Sequence, residues 1–164
     1  MIITTTNKRK KDTTKSKIVK RFASWCLPYL LGDKECKNLT VNIIFTGYVK
    51  TSGYDSYGYV EPDDIDNPTE FDVHCAAELS MTRTLRVIAH EMVHIKQYVR
   101  GELKDCNNPN YALWKRKRIN LNEIKYYFLP WEVEAFGLEC SLVYEWVNEK
   151  NLEKEPWFNY RMVI

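Results

Sequence analysis

The chain has 164 residues, of which 45% are hydrophobic and 28% charged. This length and composition indicate one compact domain and leave no room for two of full size. The 24 Lys and Arg residues nearly balance the 22 Asp and Glu residues, and the net charge of +2 argues against a globally basic nucleic-acid-binding protein. A domain of this size can fold without a metal, so any bound metal is expected to be functional.

The sequence carries no signal of a membrane or secreted protein. No stretch approaches the roughly 18–20 uninterrupted apolar residues of a transmembrane helix, and the first residues lack the apolar core of a signal peptide. We therefore expect a cytoplasmic protein without membrane contacts. The five cysteines are scattered and never in CxxC spacing, which favours buried reduced thiols over disulfides or a zinc ribbon. They are Cys26, Cys36, Cys75, Cys106 and Cys140.

The N-terminal part divides into a tail and a helix. Residues 1–14 are polar and include the basic run Lys8–Lys11, which predicts a flexible basic tail. Apolar residues then recur every three or four positions from Ser16 to Leu31, the pattern of a helix with one buried stripe. Residues 15–164 are predicted to form a single domain.

Three short strands are predicted next, over Leu39–Lys50, Tyr57–Glu61 and Phe71–Ala77, from their β-branched and aromatic residues. Strands this close in sequence favour a small, three-stranded, mainly antiparallel sheet. The third histidine, His74, alternates with apolar residues in the last strand and is expected on its polar face. The fold class is therefore predicted as α+β.

The second half contains two long helices separated by irregular chain. The first helix is predicted over Ser80–Arg100, with Ser80 or Thr82 as N-cap. A strand or hairpin follows around Tyr111–Ile119, and Tyr126–Leu129 is expected to be extended. Pro130, which is tolerated at the first position of a helix, opens the last helix and carries it to about Lys150.

Two of the three histidines belong to an HExxH motif formed by His90, Glu91 and His94. Residues four apart on a helix lie about 40° apart and one turn along, so both imidazoles can reach one Zn²⁺ ion. The apolar residues of this helix lie on the opposite side, which leaves the histidines on a polar cleft wall. The alternative is a solvent-exposed face that carries two histidines by chance.

The third zinc ligand is predicted on another element. A metzincin or SprT-type site would have histidine at position 100, where this chain has Arg100, so a carboxylate is expected instead. Glu132 projects from the apolar stripe of the last helix, whereas Glu134 lies on its solvated side. Because a carboxylate on an apolar stripe is costly unless it is paired or bound to metal, we favour Glu132 over Glu134.

HEMVH, followed about forty residues later by PWEVEA, resembles the gluzincin clan of zinc peptidases, in the small single-domain form found in phages and bacteria. The resemblance implies a small zincin-like domain in which Glu132 is the third ligand. It also implies that the strand before the HExxH helix, Phe71–Ala77, is an edge strand that binds extended peptide. Many members have Asp where this chain has Phe136; Glu139 could replace it beside a ligand histidine, or form a salt bridge to an arginine such as Arg83 or Arg86.

Together these features predict a zinc metallopeptidase acting on a protein or peptide substrate, in the host cytoplasm if the chain is phage-encoded. His90, His94 and Glu132 would hold Zn²⁺, and Glu91 would be the general base. The oxyanion donor stays open among five side chains: Tyr98, Tyr111, Tyr126, Tyr127 and His74.

Two alternatives of other classes remain. One is an inactive zinc-binding interaction protein that keeps the fold without turnover. The other is a nucleic-acid-associated protein that uses the basic runs Lys8–Lys11 and Lys115–Arg118, the second of which lies beside Trp114 and Tyr111.

Overall fold

The computed structural model describes residues 1–7, 13–47, 49–51 and 54–159, and within them the chain is a mixed α+β fold. The elements in chain order are β1 (Ile2–Asn7), α1 (Thr13–Leu31), α2 (Asp33–Cys36), β2 (Thr40–Thr46), β3 (Val49–Thr51), β4 (Tyr54–Ser56), β5 (Gly58–Pro62), β6 (Glu70–Ala76), α3 (Met81–Val99), β7 (Leu103–Asp105), β8 (Tyr111–Trp114), β9 (Lys117–Asn120), the 3-10 helix η1 (Tyr126–Phe128) and α4 (Pro130–Glu149). The three long helices expected from the sequence are confirmed.

The main sheet has four strands in the order β1-β2-β6-β5. Strands β1, β2 and β6 are parallel, and β5 alone runs antiparallel to its neighbour β6. The prediction of a three-stranded, mainly antiparallel sheet is therefore wrong in both strand number and direction. The reason is connectivity: α1 carries the chain from the end of β1 back to the start of β2, and such a crossover makes the two strands parallel.

Part of the segment predicted to be a flexible tail forms the first strand of this sheet. β1 pairs with β2 along its whole length, and Ile3 is buried in the core. On the opposite face the Thr4 hydroxyl donates to Asn42 Oδ1 at 2.8 Å. The prediction of a flexible tail over residues 1–14 is thus wrong for β1, because pairing satisfies the backbone of a segment with little apolar surface of its own. The basic run Lys8–Lys11 lies outside the described residues.

Helix α3 is the central element, in contact with α1, α4, β5 and β6. Its predicted apolar side is fully buried at Leu85, Ile88 and Met92, within one core shared with the sheet. Helix α4 closes the other side, and its Trp146 packs edge-on against Phe22 of α1 with ring centroids 5.2 Å apart. The histidine-bearing side of α3 therefore faces α4 rather than bulk solvent.

The segment between α3 and α4 forms a second, smaller unit. Strands β7, β8 and β9 make an antiparallel sheet, which confirms the predicted hairpin. A small core of Leu103, Ala112, Leu129 and Trp131 joins it to the start of α4. The extended conformation expected for Tyr126–Leu129 is wrong: hydrogen bonds closing tight turns make η1, which leads directly into α4.

None of the helices in the described residues is both long and apolar enough to cross a membrane. All five cysteines are free thiols, as expected, but the expected burial is confirmed for only three of them. Cys26, Cys36 and Cys75 are buried, whereas Cys106 and Cys140 are partly exposed.

Candidate metal centre

The structure brings His90 and His94 of α3 together with Glu132 of α4. His90 Nε2 lies 3.1 Å from Glu132 Oε2, His94 Nε2 lies 3.5 Å from Glu132 Oε1, and the two Nε2 atoms are 3.1 Å apart. Ligand atoms around a tetrahedral zinc ion are separated by about 3.3 Å. All three residues are at most 7% exposed. The donor set and its spacing therefore fit a zinc ion.

Local structure explains why these three side chains meet. The Ser80 hydroxyl caps the N-terminus of α3, so that the helix holds both histidines one turn apart. Pro130 occupies the first turn of α4 and places Glu132 in that same turn. Trp131 is anchored in the small core, and this contact sets the position at which α4 begins.

His90 is oriented by a second glutamate. Its Nδ1 donates to Glu139 Oε2 at 3.1 Å, while Glu139 Oε1 accepts from Arg86 Nε at 3.1 Å and from Arg86 Nη2. Both roles considered for Glu139 thus occur together, with Arg86 rather than Arg83 as the partner. Since a carboxylate can only accept, Glu139 holds a proton on His90 Nδ1, and Nε2, which faces Glu132, is the nitrogen available to a metal once it has lost its own proton.

His94 is oriented by the side-chain amide of Gln97, three residues further along α3. Gln97 is fully buried, and its Nε2 donates to Trp131 O at 3.0 Å and to Glu134 Oε2 at 2.7 Å. These two acceptors turn Gln97 Oε1 towards His94 Nδ1, 2.8 Å away. His94 therefore also carries its proton on Nδ1 and directs Nε2 at Glu132.

Glu134 does not join the cluster. It is half-buried, and its Oε1 accepts from Lys96 Nζ at 3.0 Å. Burial alone would raise the pKa of Glu134, but hydrogen bonds from Gln97 and Lys96 outweigh it and lower the pKa. The side expected to be solvated thus holds a buried network that supports His94. Sequence reasoning missed this because it judged the two helix faces separately.

The carboxylates and histidines of the cluster shift one another's pKa values. Burial disfavours the charged form of His90, but hydrogen bonds to Glu132 and Glu139 outweigh it and raise the pKa of His90. Burial likewise opposes ionisation of Glu132, yet hydrogen bonds from both histidines lower its pKa. The site thus favours a negative carboxylate beside positive charge, the charge pattern that a cation would also satisfy.

Glu91 lies beside the cluster without belonging to it. It is buried, and this burial raises the pKa of its carboxyl group, with smaller opposing effects from the two histidines. Strand β5 passes close by: a Cβ atom on Gly58 would lie 3.1 Å from Glu91 Oε1. A buried carboxylate with a raised pKa holds a proton more readily than an exposed carboxylate does, which suits a proton acceptor beside the candidate metal centre.

Among the five candidate oxyanion donors, the structure brings Tyr126 to the cluster. Its pKa is raised first by desolvation of the hydroxyl group and then by the negative charge of nearby Glu132. The hydroxyl of Tyr98 donates instead to Asp105 Oδ2 at 3.1 Å.

The other three candidates make aromatic or cation–π contacts. The Tyr111 ring lies under Arg118, with 3.7 Å from the ring centroid to Cζ. His74 stacks on Tyr59 at a centroid distance of 4.4 Å. Tyr127 packs against Phe136 at a centroid distance of 5.5 Å.

Phe136 stands where the resemblance led us to look for Asp. Its ring lies 4.5 Å from the His90 ring, so an apolar contact replaces the expected hydrogen bond, which Glu139 supplies instead. Phe136 and Tyr127 are 40% and 64% exposed and form an aromatic wall beside the histidines.

The expected edge strand is also displaced. Residues Phe71–Ala77 correspond to β6, which lies inside the sheet between β2 and β5, so the edge next to α3 is β5. The sequence could not show this, because the pattern of a strand does not identify its neighbours.

No protein-family model, curated protein or solved structure matches this chain.

Proposed function

We propose that this chain is a zinc-dependent peptidase that hydrolyses peptide bonds in a protein or peptide. The observation that carries the proposal is the buried group of His90, His94 and Glu132, in which a further side chain orients each histidine. A zinc ion held by these three residues would polarise the scissile carbonyl and lower the pKa of a water molecule, so that the water could give up a proton and attack the carbonyl carbon.

The protein's own residues supply the remaining chemistry. Glu91, with its raised pKa, takes the proton of the attacking water and passes it to the leaving amine. The hydroxyl of Tyr126, held near Glu132, donates a hydrogen bond to the negative charge that develops on the carbonyl oxygen.

Two neighbouring surfaces are suited to a peptide. Strand β5 forms the edge of the sheet beside Glu91, and an extended peptide can pair with such an edge through its backbone. The aromatic wall of Phe136 and Tyr127 lies beside His90 and offers contact area for an apolar side chain of the substrate. Because Gly58 has no side chain, β5 can pass close to Glu91 and to α3.

The test separates metal binding from turnover. Purified protein is assayed for zinc content and for cleavage of an unfolded protein substrate, with and without a chelator. Glu91→Gln should retain zinc and lose about 10²–10⁴-fold in activity, whereas Glu132→Ala should lose zinc. Glu145→Gln, an exposed carboxylate on the same helix, is the control and should change neither property.

Three outcomes would contradict the proposal in different ways. Full activity of Glu91→Gln would remove Glu91 as the general base. Unchanged zinc content of Glu132→Ala would remove Glu132 as a ligand. Zinc binding by the wild type without cleavage of any substrate in a broad peptide library would favour the inactive, zinc-binding interaction protein.

A further inference from the structure

Four consecutive basic residues, Lys115–Arg118, form the tip and outgoing strand of the β8–β9 hairpin, and all four are exposed. None of them is within ion-pair distance of a carboxylate in the described residues. Three other exposed or half-buried cations, Arg100, Lys104 and Lys150, do form ion pairs, with Glu35, Asp66 and Glu149 respectively. The hairpin therefore concentrates four positive charges without a direct ion pair, although the charge of Lys115 also acts on the carboxylate of Glu134.

The turn that displays these charges has an unusual composition. Lys115 and Arg116 both adopt positive φ angles, 48° and 69°, as a two-residue hairpin turn with the right-handed twist of its strands requires. Asn and Gly are the residues that adopt this backbone with least strain, whereas long side chains are disfavoured there. Two cations thus occupy positions where local stability favours small residues, and strain of this kind is found at functional sites.

Aromatic rings lie directly beside the charges. Arg118 Cζ is 3.7 Å from the Tyr111 ring centroid, and Lys115 Nζ is 4.8 Å from the Trp114 ring centroid. Because Arg118 is exposed, the side of its guanidinium turned away from Tyr111 is open to solvent. A guanidinium held flat on an aromatic ring offers a planar surface on which a nucleobase can stack.

The hairpin is held firmly to the rest of the protein. Trp114 packs against Trp131 at a centroid distance of 6.2 Å, and the Lys115 amide donates to Glu102 O at 2.6 Å. The charges consequently project from a fixed platform. A fixed platform loses less conformational entropy on binding than a mobile tail does.

We propose that the β8–β9 hairpin binds single-stranded nucleic acid, with Lys115–Arg118 contacting phosphates and the Arg118–Tyr111 pair stacking on a base. The combination of unpaired cations with stacked aromatic rings favours nucleic acid over an acidic peptide, which would use the charges but gain nothing from the rings. This binding is independent of the proposed peptidase activity.

The test is fluorescence anisotropy with a twelve-nucleotide oligothymidylate over a range of salt concentrations. If four phosphates are neutralised, the logarithm of the binding constant should fall against the logarithm of salt with a slope of about −2.8. The hairpin variant carries Lys115→Asn, Arg116→Gly, Lys117→Ser and Arg118→Ser, which removes all four charges and keeps a favourable turn. It should bind at least tenfold more weakly, with a slope near zero.

A control variant removes four other exposed cations, Lys17, Lys20, Arg21 and Lys150, by substitution with Gln. These residues line a groove of about 690 Å³ between α1 and α4, and their loss should leave binding and slope unchanged. Both variants are checked for a melting temperature no lower than that of the wild type. Wild-type affinity of the hairpin variant, or loss of binding in the control alone, would overturn the proposal. So would equal competition by a polyglutamate of the same length, or tighter binding of duplex than of single strand.

Discussion

The contact between Glu139 and His90 offers a sensitive test of the proposed metal centre. Glu139 accepts from the imidazole through Oε2 and from Arg86 through Oε1, so it has a donor on each side. In Glu139→Gln one carboxylate oxygen becomes an NH₂ group, which must point at either His90 or Arg86, although both of these are donors. If it faces His90, the imidazole proton moves to Nε2, the atom required for the metal.

Loss of such a hydrogen-bond partner typically weakens metal binding by about 10–100-fold, which corresponds to about 1.4–2.7 kcal/mol. We expect Glu139→Gln to show this loss in a zinc titration against a chromophoric chelator. Glu145→Gln makes the same change in charge on the exposed side of α4 and should alter the dissociation constant less than twofold.

A further variant separates orientation of His90 from stability of the fold. Arg86→Gln breaks the ion pair with Glu139 but leaves the hydrogen bond to His90. It should therefore weaken zinc binding less than Glu139→Gln does. If Glu139→Gln bound zinc as tightly as the wild type while Arg86→Gln did not, Glu139 would not orient the imidazole and the reasoning above would be refuted.

Three further measurements test the packing and hydrogen bonding of the fold. Gly58→Ala would place Cβ 2.4 Å from a valine methyl of α3 and should destabilise the protein by about 1–3 kcal/mol in urea unfolding, whereas Gly137→Ala, which meets open space, should not. Hydrogen bonds from the backbone amides of Glu70 and Thr69 lower the pKa of Asp63 in the folded protein. Ionised Asp63 therefore stabilises the fold at pH values above its pKa in the unfolded chain. This stabilisation is lost as the pH falls through the lower pKa of Asp63 in the folded protein. Between about pH 5 and pH 2 the free energy of unfolding of Asp63→Asn should accordingly fall less than that of the wild type. An equal fall in the two proteins would contradict this. A thiol reagent should modify two cysteines of the native protein and all five after unfolding, because three are buried; modification of all five in the native protein would contradict the packing.

The sequence contained enough local information for the long helices and for most of the site. Residues three and four apart lie on the same face of a helix, so a short stretch of sequence shows which side chains share a face. This was enough to place the two histidines opposite the apolar side of α3 and to choose Glu132 over Glu134. The structure does bring His90, His94 and Glu132 together, as that reasoning predicted.

Tertiary structure decided the features that depend on pairing between distant segments. A strand pattern identifies which residues share a face but not which strand lies alongside, and so β1 and the exchange of β5 for β6 at the sheet edge could not be predicted. The same holds for the hydrogen bonds that fix the two imidazoles. Glu139 and Gln97 reach them only because α3 and α4 pack together, and the polar network behind His94 exists only in that contact. Periodicity thus determined the direction in which each of the three side chains points, and packing between helices determined what holds it there.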